Sequence, residues 1–173
     1  PAFGEQALPE DAAAQAALTA KLGALSLPVV VGAATSALAS EVTGTAYAIE
    51  PNALGIERVS VTFAADRATL TLTNAGVEHP VTAGNGAWLV GMSNGRVLGR
   101  EMRSSGELER EQMAASGAWT AEDIFELRIC YIEGEVCPVV RFHFSNDNLR
   151  IEVEPNVSWT NVATTTLIGH RES

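Results

Sequence analysis

The chain reads as a mostly β protein, an antiparallel up-and-down barrel of about eight strands preceded by one N-terminal helix. Three observations predict this. From Thr43 onward, apolar and polar residues alternate with period two, and short turn signals break the alternation. Between Asp123 and Glu154 two tight turns set a register that puts every large apolar side chain on one face. Only Pro9 to Leu25 has the composition of a helix. About eight antiparallel strands can close on their own side chains or around one small ligand. A two-sheet sandwich is the competing architecture.

Residues 1–40 form a linker region that contains the helix, and residues 41–173 form the barrel domain. The helix is expected over residues 9–25. Pro9 suits a first turn, Glu10 and Asp11 suit the positive end of the helix dipole, and Gly23 suits the stop. Leu18, Leu22 and Leu25 share one stripe, which predicts packing against the barrel mouth or a neighbouring domain. Leu27 to Ser40 is rich in Pro, Gly, Ala and Ser and reads as a connection.

A first strand runs from Thr43 to Glu50, with Tyr47 and Ile49 alternating, and a turn follows at Pro51 to Gly55. Glu57 to Ala64 and Arg67 to Asn74 form a hairpin around Ala65-Asp66, with Val61 facing Leu70. Ala75-Gly76 turns the chain into Val77 to Ala83, so His79 faces Leu72 on the inner row. Gly86 to Gly91 is a shorter strand. Gly95 to Glu111 reads as an irregular excursion with a helical turn from Glu107 onward.

The later meander is the most regular part. A turn at Glu133-Gly134 sets Phe125 against Phe142, Leu127 against Val140 and Tyr131 against Val136. A turn at Asn146-Asp147 sets Phe142 against Ile151 and Val140 against Val153. On the opposite face Glu126 meets Arg141, and Arg141 meets Glu152, so charge alternates across three strands. A last strand, Ala163 to Gly169, returns the chain to its start.

The composition bounds the function. With 173 residues, 46% hydrophobic and 18% charged, this is a globular domain that can bury a core. No apolar run approaches the roughly 18 residues of a membrane span. The net charge of −10 argues against nucleic acid and anionic membranes as partners. All basic residues except Lys21 are arginine and alanine is abundant, a bias of high-GC bacterial genomes. The start at Pro1 to Gly4 reads as a cut inside a longer polypeptide. The chain shows no signal peptide, and a cytoplasmic setting is expected.

Known catalytic patterns are missing. There is no S-x-x-K and no G-x-S-x-G elbow, and Lys21 lies on the helix. Gly84-Asn85-Gly86 and Gly91 to Gly95 lack the P-loop lysine and read as turns. His79, His143 and His170 show no metal-ligand spacing, so neither a metal nor a cofactor is expected. Cys130 and Cys137 face each other across a hairpin. A disulfide is geometrically allowed, but thiols are expected in a reducing cytoplasm. Four residues are candidates for lining a ligand pocket: Tyr47, His79, Trp88 and Trp119. For the tryptophans, Trp159 included, packing at the core or rim is the competing reading. For His79 it is a rim position with a satisfied ring nitrogen.

Three motifs carry a resemblance. They are Tyr47 followed by Glu50-Pro51-Asn52-Ala53-Leu54-Gly55, then Ser116-Gly117-Ala118-Trp119-Thr120 followed by Asp123, then Phe142-His143-Phe144 with Asp147, Leu149 and Glu152 to Val157. In this order they resemble the C-terminal accessory region of bacterial serine hydrolases of the β-lactamase and penicillin-binding-protein type. The resemblance covers most of Thr43 to Gly169. Such regions often continue with Gly-Pro-Thr where this chain has Ser158-Trp159-Thr160-Asn161. It implies a lipocalin-like barrel that packs beside a catalytic serine-hydrolase domain of the same polypeptide and has no catalytic residues of its own. A homodimer is compatible with it. The alternative is a lipocalin-like module that encloses a small apolar ligand.

Overall fold

Tight hairpins organise the chain, and they form at the turn residues the sequence supplies. The computed structural model describes residues 10–94, 98, 110–156 and 164–172. Ala75 and Gly76 both adopt positive φ (48° and 74°), the geometry that matches the twist of a two-residue hairpin. The Pro51 to Gly55 turn is held by two asparagines. The Asn52 Oδ1 atom accepts from the Leu54 and Ile56 amides, and its Nδ2 donates to the Ile56 carbonyl. Asn74 Nδ2 donates to the Leu54 and Gly55 carbonyls at 3.0 and 2.7 Å.

Among the described residues there are ten strands: β1 (Ala46–Ile49), β2 (Ile56–Phe63), β3 (Arg67–Asn74), β4 (Val77–Asn85), β5 (Leu89–Asn94), β6 (Arg110–Trp119), β7 (Ile124–Tyr131), β8 (Val139–Ser145), β9 (Asn148–Glu154) and β10 (Thr165–Arg171). They follow one another in the order β4-β3-β2-β1-β10-β9-β8-β7-β6-β5. Nine of them close into a barrel of mixed pairing. β4 completes the ring by running parallel to β6 at Gly84↔Ser116 and Asn85↔Gly117. Gly86, at φ 61°, then reverses the chain, and β5 runs back antiparallel along the earlier half of β6. Helices α1 (Ala12–Gly23) and α2 (Ala39–Val42) precede the barrel.

The expected registers hold. Val61 pairs with Leu70, Leu72 with His79, Phe125 with Phe142, and Phe142 with Ile151. Phe125, Phe142, Leu70 and Ile151 are buried inside the barrel. Phe63 fills the centre of one end. Its ring centroid lies 4.9 Å from Trp119, 5.0 Å from Phe125 and 6.3 Å from Phe144. Such tilted and edge-on contacts are the favoured aromatic geometry.

Several expectations are corrected. The expected irregular excursion ends at Glu111 and so overlaps only the first two residues of β6; the rest of β6 carries no strand signal in the sequence. Ala114-Ala115-Ser116-Gly117-Ala118 has neither alternation nor the bulky residues that favour strands. Both faces of this strand are crowded, and small residues are what fit. A Cβ on Gly117 would lie 2.5 Å from the Phe125 ring. The helical turn expected from Glu107 falls partly outside the described residues, and from Arg110 the chain is strand. β5 starts later than Gly86 because that glycine makes the turn. The helix begins after Asp11, whose carboxylate accepts from the Ala14 amide at 2.9 Å and so caps the first turn.

On the outer face, Arg141 lies opposite Glu126 and Glu152 in register. Its guanidinium bonds Glu126 at 2.9 Å but reaches diagonally to Glu154 at 2.7 Å. Glu152 is taken by His143 at 3.2 Å and by Arg150. Cys130 and Cys137 form a disulfide, which corrects the expectation of thiols. Cys137 lies just ahead of β8, across the hairpin from Cys130 on β7 and within bridging reach.

Candidate functional site

The connection before the barrel is not a loose linker. Residues 27–37 run as an extended strap over the outside of β6 and β7 and then reach the barrel mouth. The Leu27 carbonyl accepts from the Trp88 indole at 2.9 Å, and the Pro28 carbonyl accepts from Arg128 at 3.1 Å. The Val30 amide donates to Ser116 Oγ at 3.2 Å. Ala33 and Trp119 exchange two backbone hydrogen bonds, of 2.8 and 2.9 Å. The Asn85 side chain reaches the Ala34 carbonyl at 3.4 Å. Bonds from several strands therefore fix one segment.

Burial agrees with this. Ser116 and Ala118 belong to the outward row of β6, yet they are 0% and 1% exposed, and Val30 is 3% exposed. Gly32 makes the close approach possible. A Cβ there would lie 2.3 Å from the Trp119 carbonyl oxygen and 3.1 Å from the Ala118 Cβ. The small residues that hide β6 from sequence reading are thus the seat of the strap. The run from Ala114 to Ala118 was the available signal, but small residues equally suit a loop.

Where the strap reaches the mouth, an open cleft of about 410 Å³ lies between residues 32–37 and 119–122. Ser36 Oγ donates to the Glu122 carbonyl and accepts from the Leu38 amide. No histidine or lysine lines this cleft, and Glu122 is the one ionisable residue in its lining.

The four candidate lining residues separate. Tyr47 and Trp119 lie in the interior and share Phe144 as a neighbour, with centroids 6.3 and 5.7 Å from it. Tyr47 Oη and Trp119 Nε1 have no hydrogen-bond partner among the described residues. Burial pushes the Tyr47 phenol up; nearby Arg171 opposes the shift and Asp147 adds to it. His79 is buried on the inner row of β4. Trp88 is half-buried and serves the strap rather than the interior. Trp159 lies outside the described residues.

The histidines sit on different strands: His79 on β4, His143 on β8 and His170 on β10. His170 bridges Asn148 and Glu50 at 2.9 Å each on the exposed surface. Among the described residues, no three His, Cys, Asp or Glu side chains converge as a metal site. No helix among them is long and apolar enough to cross a membrane.

The helix tells a different story from the barrel. No residue of α1 is buried. Leu18, Leu22 and Leu25 are 51%, 57% and 69% exposed, and Leu27 and Val31 continue the apolar run onto the strap. The expected packing of this stripe on the barrel mouth is absent among the described residues. No family model, curated protein or solved structure matches this chain.

Proposed function

We propose that this chain is a non-catalytic C-terminal accessory domain of a bacterial serine hydrolase of the β-lactamase type. In this reading the barrel packs beside the catalytic domain, stabilises it and borders its active-site entrance. The observation that carries the reading is α1. Its leucine stripe covers nothing described in this chain, and it leads directly into a strap fixed to the barrel wall. An uncovered apolar face next to a fixed segment is what a docked domain needs. Three sequence motifs resembling such accessory regions support the choice of partner.

The alternative, a module enclosing an apolar ligand, finds less support. Phe63, Leu70, Phe125, Phe142 and Ile151 occupy the space that a ligand would need. A cytoplasmic setting belongs to the first reading, and the disulfide weighs against it, because such bonds persist in oxidising compartments. Homodimerisation through the same helix stripe would compete with docking to the catalytic domain.

The test uses the parent polypeptide. The reading frame upstream of Pro1 is expected to encode a serine-hydrolase domain with an S-x-x-K motif. Replacing Leu18 and Leu22 by Ser in that parent should lower the thermal midpoint of its catalytic domain. The isolated chain should leave ester and amide substrates intact. An upstream frame without a hydrolase domain, or hydrolysis by the isolated chain, overturns the proposal.

A further inference from the structure

We propose that the Cys130–Cys137 disulfide is a redox-operated clamp on the tip of the β7–β8 hairpin, opened by a dithiol and closed by a disulfide oxidant. The inference does not depend on the accessory-domain reading.

The argument starts from where the regular ladder stops. Paired residues of β7 and β8 end at Arg128↔Val139. Beyond that point two backbone bonds join the two arms, Ile129 N to Pro138 O at 3.1 Å and Tyr131 N to Val136 O at 3.0 Å, and one closes the turn, Gly134 N to Tyr131 O at 3.1 Å. Pro138 has no N–H to return a bond to β7. The tip is therefore paired at a lower density than the rest of the hairpin, and the disulfide stands in that stretch. One other device holds it. Asn156, just past β9, accepts from the Cys137 amide at 2.6 Å and donates to the Glu135 carbonyl at 2.7 Å.

The other side of β7 is complete. Met113↔Tyr131, Ala114↔Cys130 and Ala115↔Ile129 join it to β6, and the Ile132 amide donates to the Gln112 carbonyl at 2.9 Å. When the clamp opens, β7 stays in the barrel and the returning segment 133–138 is what moves. Val136, now 8% exposed, leaves the core with it. This is a local opening rather than unfolding.

The sulfurs differ in access. Cys130 is 7% exposed, whereas Cys137 is half-buried beside the exposed Glu135. A dithiol thiolate attacks Cys137 Sγ, forming a mixed disulfide, and the S–S bond breaks with Cys130 Sγ leaving as a thiolate that takes a proton. The second thiol of the reductant, as its thiolate, attacks its own bound sulfur and closes a cyclic disulfide. Cys137 is released as a thiolate and is protonated. The protein gains two electrons and two protons, and the dithiol loses them. A disulfide oxidant runs the same exchange backwards.

The experiment treats the native chain with dithiothreitol and follows two readouts. Alkylation and mass measurement should find two thiols per chain without denaturant. Amide exchange at Ile129, Tyr131 and Cys137 should quicken by about tenfold or more, while Val61, Leu70 and Phe142 keep their protection. Oxidised dithiothreitol should restore both. The C130S/C137S double variant should exchange like the reduced protein; if it fails to fold, the wild-type reduction alone decides. The proposal is overturned if thiols appear only in denaturant, if the reduced tip exchanges like the oxidised one, or if protection falls equally in β2 and β3.

Discussion

Replacing Gly32 by alanine tests whether the strap is a fixed part of the fold. The new Cβ would stand 2.3 Å from the Trp119 carbonyl oxygen and 2.8 Å from its carbon, both backbone atoms that cannot swing aside. Ordinary contact at such a position begins near 3.4 Å, so strap and strand must part by about 1 Å. The two bonds between Ala33 and Trp119 are 2.8 and 2.9 Å, and a separation of that size stretches both beyond bonding distance. At about 1 kcal/mol net for each, the substitution should cost about 2 kcal/mol. Urea unfolding measures that cost, and amide exchange at Ala33 and Trp119 locates it. Gly23→Ala is the control. Gly23 has nothing within 4 Å at its Cβ position, and alanine near a helix end should be neutral or stabilising by up to about 1 kcal/mol. If Gly32→Ala matches that control and keeps both amides protected, the strap is not seated as described.

Three other predictions concern the barrel. Phe142, fully buried against Phe125 and Phe144, should cost about 3–5 kcal/mol on replacement by alanine, measured by denaturant unfolding. Tyr47→Phe should be neutral or slightly stabilising in the same assay, because the buried hydroxyl has no hydrogen-bond partner among the described residues. Burial raises the Glu152 carboxyl, but hydrogen bonds from His143 and Arg150 and their charges outweigh it and hold the carboxyl below its ordinary value. Its contribution is therefore present above the unfolded-state value and is lost as pH falls through the lower folded value. Thermal midpoints measured across the acid range should show that loss in the wild type and a shallower one in Glu152→Gln.

The legible part of this molecule is local. Period-two alternation together with turn residues fixes which side chains oppose each other within a hairpin, because a slip of one residue would send a whole apolar row into water. That is why the Val61–Leu70, Leu72–His79 and Phe142–Ile151 pairs could be read from the chain. The candidate site was read only in fragments. Trp88 and Trp119 are the tryptophans the sequence offers for a pocket; Trp88 holds the strap, and Trp119 packs among the interior aromatics and also lines the cleft at the mouth. Ser116, Val30 and Gly32, which seat the strap, carry no pattern of their own.

The amino-acid order by itself determined a meander of amphipathic hairpins, with a leucine-striped helix ahead of it. Only the tertiary structure decided where the ring closes, that β6 is a strand, and that the connection is bolted to the barrel wall. The physical reason is separation along the chain. β4 meets β6, and Ala33 meets Trp119, through backbone bonds that small residues permit but do not announce.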